Sequence, residues 1–240
     1  MKNLNQLIKE ELFKNGASIV GFADLNEIPE SIRNNMKYGI SIGVALNPEV
    51  VRNIEFGPTK EYYSEYKRIN GLLDELDELT SRILISNGFN AIAKTTGNVN
   101  QDEETLSTIL PHKTVATRAG LGWIGKCALL VTKQFGPALR LSTVLTDAEL
   151  NVAEPINSSN CGTCNECKNH CPGNAIIGAN WSLGAERNTY YNAYECAKTA
   201  RKLSNEVGIN SRICGKCIFV CPWTKKYLQD NSGAVLIDNI

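Results

Sequence analysis

The sequence predicts an α+β fold in two parts, and three observations lead to this prediction. Helical and strand-like apolar spacings are mixed along the first part of the chain. The strands there include an apparent antiparallel pair, which is typical of α+β domains. Eight of the nine cysteines fall between Cys161 and Cys221, whereas the earlier chain holds only Cys127. We therefore predict a first domain over residues 1–155 and a small second domain over residues 156–240.

The elements of the first domain follow from apolar spacing and from the turn residues between apolar runs. Asn15-Gly16 and Asn87-Gly88 mark the ends of helices, and short β-branched runs mark strands. Gln134-Phe135-Gly136-Pro137 separates two apolar runs and predicts an antiparallel hairpin. The predicted helices cover residues 4–13, 59–87 and 113–118, and the predicted strands cover residues 17–22, 40–46, 91–93, 127–132 and 138–146.

Composition and charge exclude several classes of protein. Over 240 residues, 25 basic and 25 acidic side chains give a net charge of zero. This balance removes any global electrostatic case for binding nucleic acid or an anionic membrane. No apolar run approaches the roughly 18 residues that a membrane span needs. The first residues mix both charges into an amphipathic helix unlike a signal peptide, so we expect a cytoplasmic protein with reduced thiols.

The cysteines form two related runs. Cys161-x2-Cys164-x2-Cys167-x3-Cys171-Pro172 has the spacing of bacterial two-cluster ferredoxins. Cys214-x2-Cys217-x3-Cys221-Pro222 repeats it with one cysteine fewer, and Cys196 completes a count of eight. In such ferredoxins the last cysteine of each run ligates the other cluster. The predicted ligand sets are Cys161, Cys164, Cys167 and Cys221 for one [4Fe–4S] cluster, and Cys171, Cys196, Cys214 and Cys217 for the other.

Two structural zinc sites and a disulfide framework are the alternatives for these cysteines, because paired C-x2-C spacings also suit zinc. Zinc ribbons do not need a Cys-Pro after an x3 spacing, and a disulfide framework conflicts with a reducing compartment. The pattern therefore favours two clusters, which exchange electrons one at a time.

A glycine-rich loop, Gly120-Leu-Gly122-Trp-Ile-Gly125-Lys126, has the spacing of a dinucleotide-binding fingerprint. That fingerprint follows a strand and opens a helix, whereas here the predicted helix comes first and the strand second. NAD binding is therefore disfavoured. The glycines either allow the backbone to approach a bulky ligand closely or form a tight turn.

The segment from His112 to Lys126, the following Leu145-Thr146-Asp147 and the cysteine pattern that ends in Cys221-Pro-Trp223 resemble epoxyqueuosine reductases. That family is related to corrinoid reductive dehalogenases. The resemblance implies a nitroreductase-like, cobalamin-type N-terminal domain followed by a ferredoxin-like domain with two [4Fe–4S] clusters. It also implies that an electron donor such as ferredoxin or flavodoxin reduces the clusters, that these reduce cobalamin, and that an epoxide oxygen is removed from a modified tRNA base.

The resemblance further implies where a cobalamin contacts the chain. His112 opens the segment that carries the resemblance, and an imidazole with an unperturbed pKa of roughly 6.5 suits a proton donor or a lower axial ligand to cobalt. We predict His112 to be the proton donor. Cys127 is predicted to be a small buried apolar residue. The predicted cobalamin-binding residues are Lys113, Arg118, Gly120, Gly122, Trp123, Gly125, Lys126, Thr132 and Thr143.

The sequence departs from the family at one functional position. Family members carry an acidic proton donor at the position that ungapped counting assigns to Leu106 here. This departure makes a tRNA substrate doubtful. Two other interpretations stay open: a ferredoxin-type electron carrier or activator that docks a partner protein without a corrinoid, and a nitroreductase-like domain that binds a flavin.

Overall fold

The computed structural model describes residues 3–95 and 102–231, and these form a mixed α and β structure, as predicted. The helices are α1 (Leu4–Lys14), α2 (Pro48–Arg52), α3 (Lys60–Ser86), α4 (His112–Arg118), α5 (Glu166–Asn169), α6 (Ala193–Glu206), α7 (Lys216–Phe219) and α8 (Pro222–Asp230). The strands are β1 (Ile19–Asp24), β2 (Tyr38–Ala45), β3 (Ala91–Ala93), β4 (Trp123–Ile124), β5 (Leu130–Val131) and β6 (Leu139–Thr146). Within the described residues, no helix has the length and apolar character needed to cross a bilayer.

Four strands form the main sheet, in the order β1-β2-β6-β3. β1 and β2 are antiparallel, with Ile19 opposite Gly43, and β3 and β6 are antiparallel, with Ala91 opposite Thr146. β4 and β5 form a separate two-stranded sheet.

The predicted hairpin between residues 127–132 and 138–146 is wrong. β6 forms at the predicted place, but β2 and β3 flank it and use both of its edges. β5 pairs with β4 instead. The intervening loop closes on itself, because the amides and carbonyls of Thr132 and Gly136 exchange two hydrogen bonds of 3.0 Å. Thr132 and Thr143 therefore do not belong to one hairpin.

The chain forms two compact units, each made of three segments. The sheet unit comprises Met1–Ala45, Lys67–Trp123 and Arg140–Asn157, and the cysteine unit comprises Leu46–Tyr66, Ile124–Leu139 and Ser158–Ile240. All nine cysteines belong to the cysteine unit. Compactness thus divides the chain differently from the predicted ranges 1–155 and 156–240, which stay a prediction about functional domains.

Each unit has its own apolar core. In the sheet unit Val115 and Ala119 pack with Leu25 and Leu145, so α4 is held against the sheet. In the cysteine unit Ile124 and Ala128 pack against Trp181 and Tyr190. The segment 46–66 is also tied into the cysteine unit, because the Tyr227 hydroxyl donates to the Leu46 carbonyl over 2.8 Å.

Candidate functional site

The eight predicted ligand cysteines lie on short helices and the turns between them. Cys167 is in α5, Cys196 in α6 and Cys217 in α7. Cys221 caps the N-terminus of α8, where Pro222 occupies the first helical position and needs no amide donor. All eight side chains are partly exposed and none forms a disulfide.

The structure brings these cysteines together across the two runs. The pKa of Cys221 is raised to about 11, mainly by burial and in part by the nearby thiols of Cys161 and Cys167 from the first run. Burial also raises the pKa values of Cys196 and Cys214, and Cys171 of the first run contributes to both. Each run therefore sends its last cysteine to the other run, which is the arrangement that crossed ligation requires.

Backbone amides point at several of these sulfur atoms. The Ala175 amide donates to Cys171 Sγ over 3.3 Å. The amide of Lys216 donates to Cys214, and those of Trp223 and Thr224 donate to Cys221. Such donors favour the thiolate and oppose the effect of burial. At Cys221 the effect of burial on the pKa exceeds that of the amide donors, so the thiol is protonated at pH 7. Binding of a metal cluster therefore has to release protons.

The donor set is compatible with two [4Fe–4S] clusters. Each iron of a cube binds one thiolate, so two cubes need eight cysteines. Among residues 3–95 and 102–231, no three His, Cys, Asp or Glu side chains converge closely enough to bind a single ion. The choice between clusters and zinc therefore rests on the spacing of the cysteines and on the Cys-Pro that ends each run.

Gly125 and Lys126 contact the first cysteine run. Lys126 is buried, and its Nζ donates to the Cys164 carbonyl over 2.8 Å and to Asn165 Oδ1 over 3.2 Å. A Cβ added at Gly125 would lie 2.7 Å from Val131 Cγ2 and 3.7 Å from Cys161 Sγ. These residues, predicted to contact cobalamin, thus support the cysteine-bearing loop.

Two residues outside the predicted ligand sets also contact the cysteines. Cys127 is buried, as predicted, and lies beside Cys167 and Cys217, whose thiols affect its pKa. The Tyr191 hydroxyl hydrogen-bonds with Cys196, and burial raises the pKa of this phenol. Neither residue belongs to a motif with a characteristic spacing, so the sequence could not identify them. They lie near the cysteines only because the chain folds back on itself.

Arg118 and Gly120 have internal roles in the sheet unit. Arg118 is buried, donates to the Ile156 carbonyl over 3.0 Å and to Asn157 Oδ1, and pairs with Glu27 over 3.3 Å. Gly120 has φ +66°, and an added Cβ would lie 2.8 Å from the Glu154 carbonyl oxygen. The tight-turn interpretation of this glycine is therefore sufficient.

The remaining predicted cobalamin-binding residues are mostly buried. Trp123 in β4 is only 1% exposed, and Gly122 beside it is buried. Thr132 is buried, and its hydroxyl accepts a hydrogen bond from the Phe135 amide over 3.0 Å. Lys113 is half-buried in the first turn of α4.

His112 and Thr143 form a pair in the sheet unit. His112 Nδ1 lies 3.0 Å from Thr143 Oγ1, at hydrogen-bonding distance. The pKa of His112 is lowered to about 4, mainly by burial and in part by the positive charges of Arg140 and Lys94. The imidazole is therefore neutral at pH 7, and its pKa lies below the value of roughly 6.5 on which its predicted role as a proton donor was based.

The segment around Leu106 is a turn that Asp102 stabilises. Asp102 Oδ1 accepts hydrogen bonds from the amides of Glu104 (2.9 Å) and Thr105 (2.7 Å). Chiefly the bond from Thr105 lowers the pKa of this exposed carboxyl. Leu106 has φ +51° and is half-buried. Asp102 thus acts as a turn cap with a stabilised carboxylate, which makes it a poor proton donor.

Comparison with protein families confirms the two-cluster domain. Residues 160–224 match the 4Fe-4S double cluster binding domain. This match covers all eight cysteines of the predicted ligand sets and supports two [4Fe–4S] clusters in this chain.

The predicted resemblance to epoxyqueuosine reductases is also confirmed. The chain is 27% identical over 197 residues to the epoxyqueuosine reductase of Lactococcus garvieae, covering 82% of this chain and 54% of that protein. It is 35% identical over 116 residues to that of Pseudomonas aeruginosa, covering 48% of this chain and 32% of that protein. The chain thus spans from about a third to about half of these curated relatives.

Two solved structures share the fold. An epoxyqueuosine reductase bound to an epoxyqueuosine-modified tRNA-Tyr stem loop matches with a TM-score of 0.63 and 20% identity, over 93% of this chain and 66% of that one. A reductive dehalogenase, whose structure is described as suggesting a mechanism for B12-dependent dehalogenation, matches with a TM-score of 0.66 and 17% identity. This second match covers 96% of this chain and 33% of that one.

Proposed function

We propose that this chain is an iron–sulfur reductase in which two [4Fe–4S] clusters pass electrons, one at a time, to an acceptor that the chain binds. The observation that carries the proposal is the crossed approach of the two cysteine runs, with Cys221 beside Cys161 and Cys167, and Cys171 beside Cys196 and Cys214. A small protein such as ferredoxin or flavodoxin is the electron donor in this proposal.

The protein's own groups prepare the cluster site. Amides directed at Cys171, Cys214 and Cys221 stabilise the charge of ligated sulfur, and hydrogen bonds to sulfur raise the reduction potential of such clusters. Lys126 fixes the first cysteine loop through the Cys164 carbonyl. Partial burial lowers the local dielectric, which also sets the potential.

The acceptor in this proposal is a corrinoid, which supplies a metal centre that takes up single electrons. The fold shared with a reductase and a dehalogenase of this group supports the assignment. The predicted contacts fit it only in part, because Arg118, Lys126 and Thr132 already have partners within the protein. In this proposal Lys113, Gly122 and the His112–Thr143 pair are the predicted contacts that would hold the corrinoid.

The same internal contacts favour one alternative. If none of the residues in the loop 120–126 binds a cofactor, the chain is a ferredoxin-type electron carrier or activator that docks a partner protein. A flavin in the sheet unit is the other alternative. Optical spectra of the reconstituted protein distinguish all three.

Iron content and cysteine variants test the clusters. Anaerobically reconstituted protein is expected to hold about eight irons per chain, since each cube has four. Cys221→Ser should impair the cluster of Cys161, Cys164 and Cys167, and Cys171→Ser should impair the other. If Cys171→Ser and Cys161→Ser removed the same cluster, the crossed assignment would be wrong.

Cofactor retention tests the acceptor. The protein is incubated with cobalamin or with FMN and then desalted. We expect it to retain the corrinoid and to lose the FMN. Gly122→Val should weaken corrinoid retention without loss of iron, whereas Gly71→Ala, where an added Cβ meets nothing within 4 Å, should not. Retention of the broad iron–sulfur absorption alone would favour the carrier, and a flavin spectrum the flavoprotein.

A further inference from the structure

The four cysteines predicted to bind one of the clusters, termed cluster 1, are held in place in different ways. Cys161, Cys164 and Cys167 lie within one short stretch of chain, so local geometry keeps them together. Cys221 belongs to the second run and reaches them only through the position of α8, whose N-cap it forms. The Lys225 amide donates to the Cys221 carbonyl over 2.9 Å, so Cys221 moves with this helix. Contacts that fix α8 therefore fix the fourth ligand.

The segment 46–52 holds the second half of α8. The Tyr227 hydroxyl donates to the Leu46 carbonyl over 2.8 Å, and both residues are buried. Arg52 in α2 donates to the Leu228 carbonyl, near the C-terminus of α8. Tyr227 lies six positions after the N-cap, roughly 9 Å along the helix at 1.5 Å per residue. These hydrogen bonds therefore act on the N-cap cysteine through the helix.

A second segment, the closed loop 132–136, packs against the first turn of α8. The Phe135 ring meets the Tyr227 ring edge-on, with 5.3 Å between the ring centroids. Gly136 has φ +57°, and a Cβ added there would lie 2.5 Å from the Thr224 amide nitrogen and 2.6 Å from its hydroxyl oxygen. A backbone nitrogen cannot move aside as the end of a side chain can, so this close approach requires glycine. The helix is thus held at its first turn and in its second half.

We propose that Tyr227 and Gly136 are positioning residues for cluster 1, which place Cys221 through α8 and so determine whether this cluster forms and how firmly it is held. The inference rests on the proposed function, because it requires two clusters with crossed ligand sets. The other cluster, termed cluster 2, is predicted to bind Cys171, Cys196, Cys214 and Cys217. These four cysteines precede α8 in the sequence, so cluster 2 should not depend on the same contacts.

The test measures how fast an iron chelator removes each cluster from the reconstituted protein under anaerobic conditions. Two backgrounds separate the clusters: Cys171→Ser is expected to keep cluster 1, and Cys221→Ser is expected to keep cluster 2. In each background, Tyr227→Phe deletes only the hydroxyl and leaves the buried Leu46 carbonyl without this donor. We expect the added change to speed the release of iron from cluster 1 about tenfold and to leave the release from cluster 2 unchanged.

Gly136→Ala gives an independent test, because its methyl group would collide with the backbone of the first turn of α8. In the otherwise unchanged protein it should lower the iron content from about eight per chain to about four. Gly184→Ala is the matched control. Gly184 also has a positive φ, +82°, and lies in the cysteine unit, but an added Cβ there meets nothing within 4 Å. This control should keep about eight irons.

A further control and the other outcomes decide between positioning and general packing. Thr80→Val deletes a buried hydroxyl that donates to the Leu76 carbonyl over 2.7 Å in the sheet unit, and it should leave both release rates unchanged. Equal acceleration of both clusters by Tyr227→Phe, or acceleration of the same size in Thr80→Val, would overturn the positioning role. Unchanged release in Tyr227→Phe would overturn the role of that residue, and full iron or loss of both clusters in Gly136→Ala would overturn the role of Gly136. A parent protein without two clusters would instead refute the proposed function.

Discussion

Asp77 is a buried carboxyl group that the proposed reaction does not use. It lies in α3 with 0% of its surface exposed, on the side of the helix that buries Leu73, Leu76 and Thr80. Neither carboxyl oxygen has a hydrogen-bond partner of good geometry within the described residues, although Ser142 lies beside it. Burial raises the pKa of Asp77 to about 8, so this side chain is largely protonated at pH 7.

The raised pKa predicts that Asp77 makes the protein less stable as the pH rises. Between pH 4 and 8 the unfolded chain releases this proton while the folded chain keeps it, so the free energy of unfolding falls by up to about 1.4 kcal/mol per pH unit. Asp77→Asn should remove this dependence and be the more stable protein at pH 8. Urea unfolding of both proteins from pH 5 to pH 8 checks this.

Glu78→Gln is the matched control for that measurement, because Glu78 is an exposed neighbour on the same helix and pairs with Arg82 over 3.8 Å. It should leave the pH dependence of the parent unchanged. Parallel profiles for the parent and Asp77→Asn would show that Asp77 is already ionised in the folded protein.

The sequence predicts residue identity better than residue environment. Seven of the eight cysteines could be predicted as ligands because their spacing is local, and Cys196 because it completes the count. The contacts of Cys127 and the lowered pKa of His112 could not, since they depend on groups distant in sequence, such as Cys217 and Arg140. Burial of Asp77 was equally unpredictable, because charged residues recur along all of α3.

The turn between β4 and β5 is the element that supports the first cysteine run. The Gly125 amide donates to the Leu129 carbonyl over 2.9 Å, and the Ala128 amide donates to the Gly125 carbonyl over 2.8 Å. Ala128 has φ +60°, so the turn keeps a left-handed residue without glycine. These hydrogen bonds close the turn between β4 and β5, which pair with each other in the two-stranded sheet.

We predict that Gly125→Ala destabilises this turn. The added methyl would lie 2.7 Å from Val131 Cγ2, a distance at which one group has to move. Overpacking of this kind costs about 1 to 3 kcal/mol. The expected result is a lower urea midpoint and weaker cluster retention, with partial rescue in Gly125→Ala/Val131→Ala.

Gly71→Ala is the control for a methyl group without a collision. Gly71 lies in α3 with open space around the added atom, so the change should stabilise the helix by up to about 1 kcal/mol. Full stability of Gly125→Ala, or failure of the double variant to recover any, would show that Val131 does not limit the site.

Element predictions succeeded where the periodic signal was long. The predicted helix over residues 59–87 differs from α3 by one residue at each end, because seven apolar positions repeat along it. Of the predicted strand over residues 127–132, only Leu130–Val131 form a strand in the structure. A short apolar run predicts that a segment is buried. The strand with which the segment pairs depends on which strand edges are available elsewhere in the fold.

At the scale of the whole molecule, the cysteine unit is larger than a ferredoxin module. It also includes residues 46–66 and 124–139. Ile124 and Ala128 are two of the four buried residues in the apolar cluster that contains Trp181. The sequence-based boundary at residue 155 followed cysteine density, which identifies ligands but not the segments that pack around them. Each unit contains segments from before and after residue 100, so composition alone could not separate the units.

The chain resembles epoxyqueuosine reductases over most of its length, and ungapped counting along the sequence places Leu106 where an acid is predicted for that family. This difference predicts its activity. Removal of an epoxide oxygen needs a proton, and general acid catalysis contributes about 10² to 10⁴ in rate. Asp102 is held as a carboxylate by the turn, and His112 is neutral at pH 7 because burial lowers its pKa to about 4. Neither group is a suitable proton donor at neutral pH.

We therefore predict weak or no reduction of epoxyqueuosine in tRNA by this chain, and a gain of activity in Leu106→Asp. Leu106 has φ +51°, a conformation that aspartate tolerates better than leucine, so the substitution should not strain the backbone. Leu106→Asn is the matched control, since it has the same shape and no acid.

The assay is anaerobic reduction with cobalamin and a strong chemical reductant, which removes any need for the physiological electron donor. Turnover should rise at least tenfold in Leu106→Asp and stay at the parent level in Leu106→Asn. Rapid turnover by the parent would contradict the prediction, and its loss in His112→Ala with cobalamin still bound would identify the imidazole as the replacement acid.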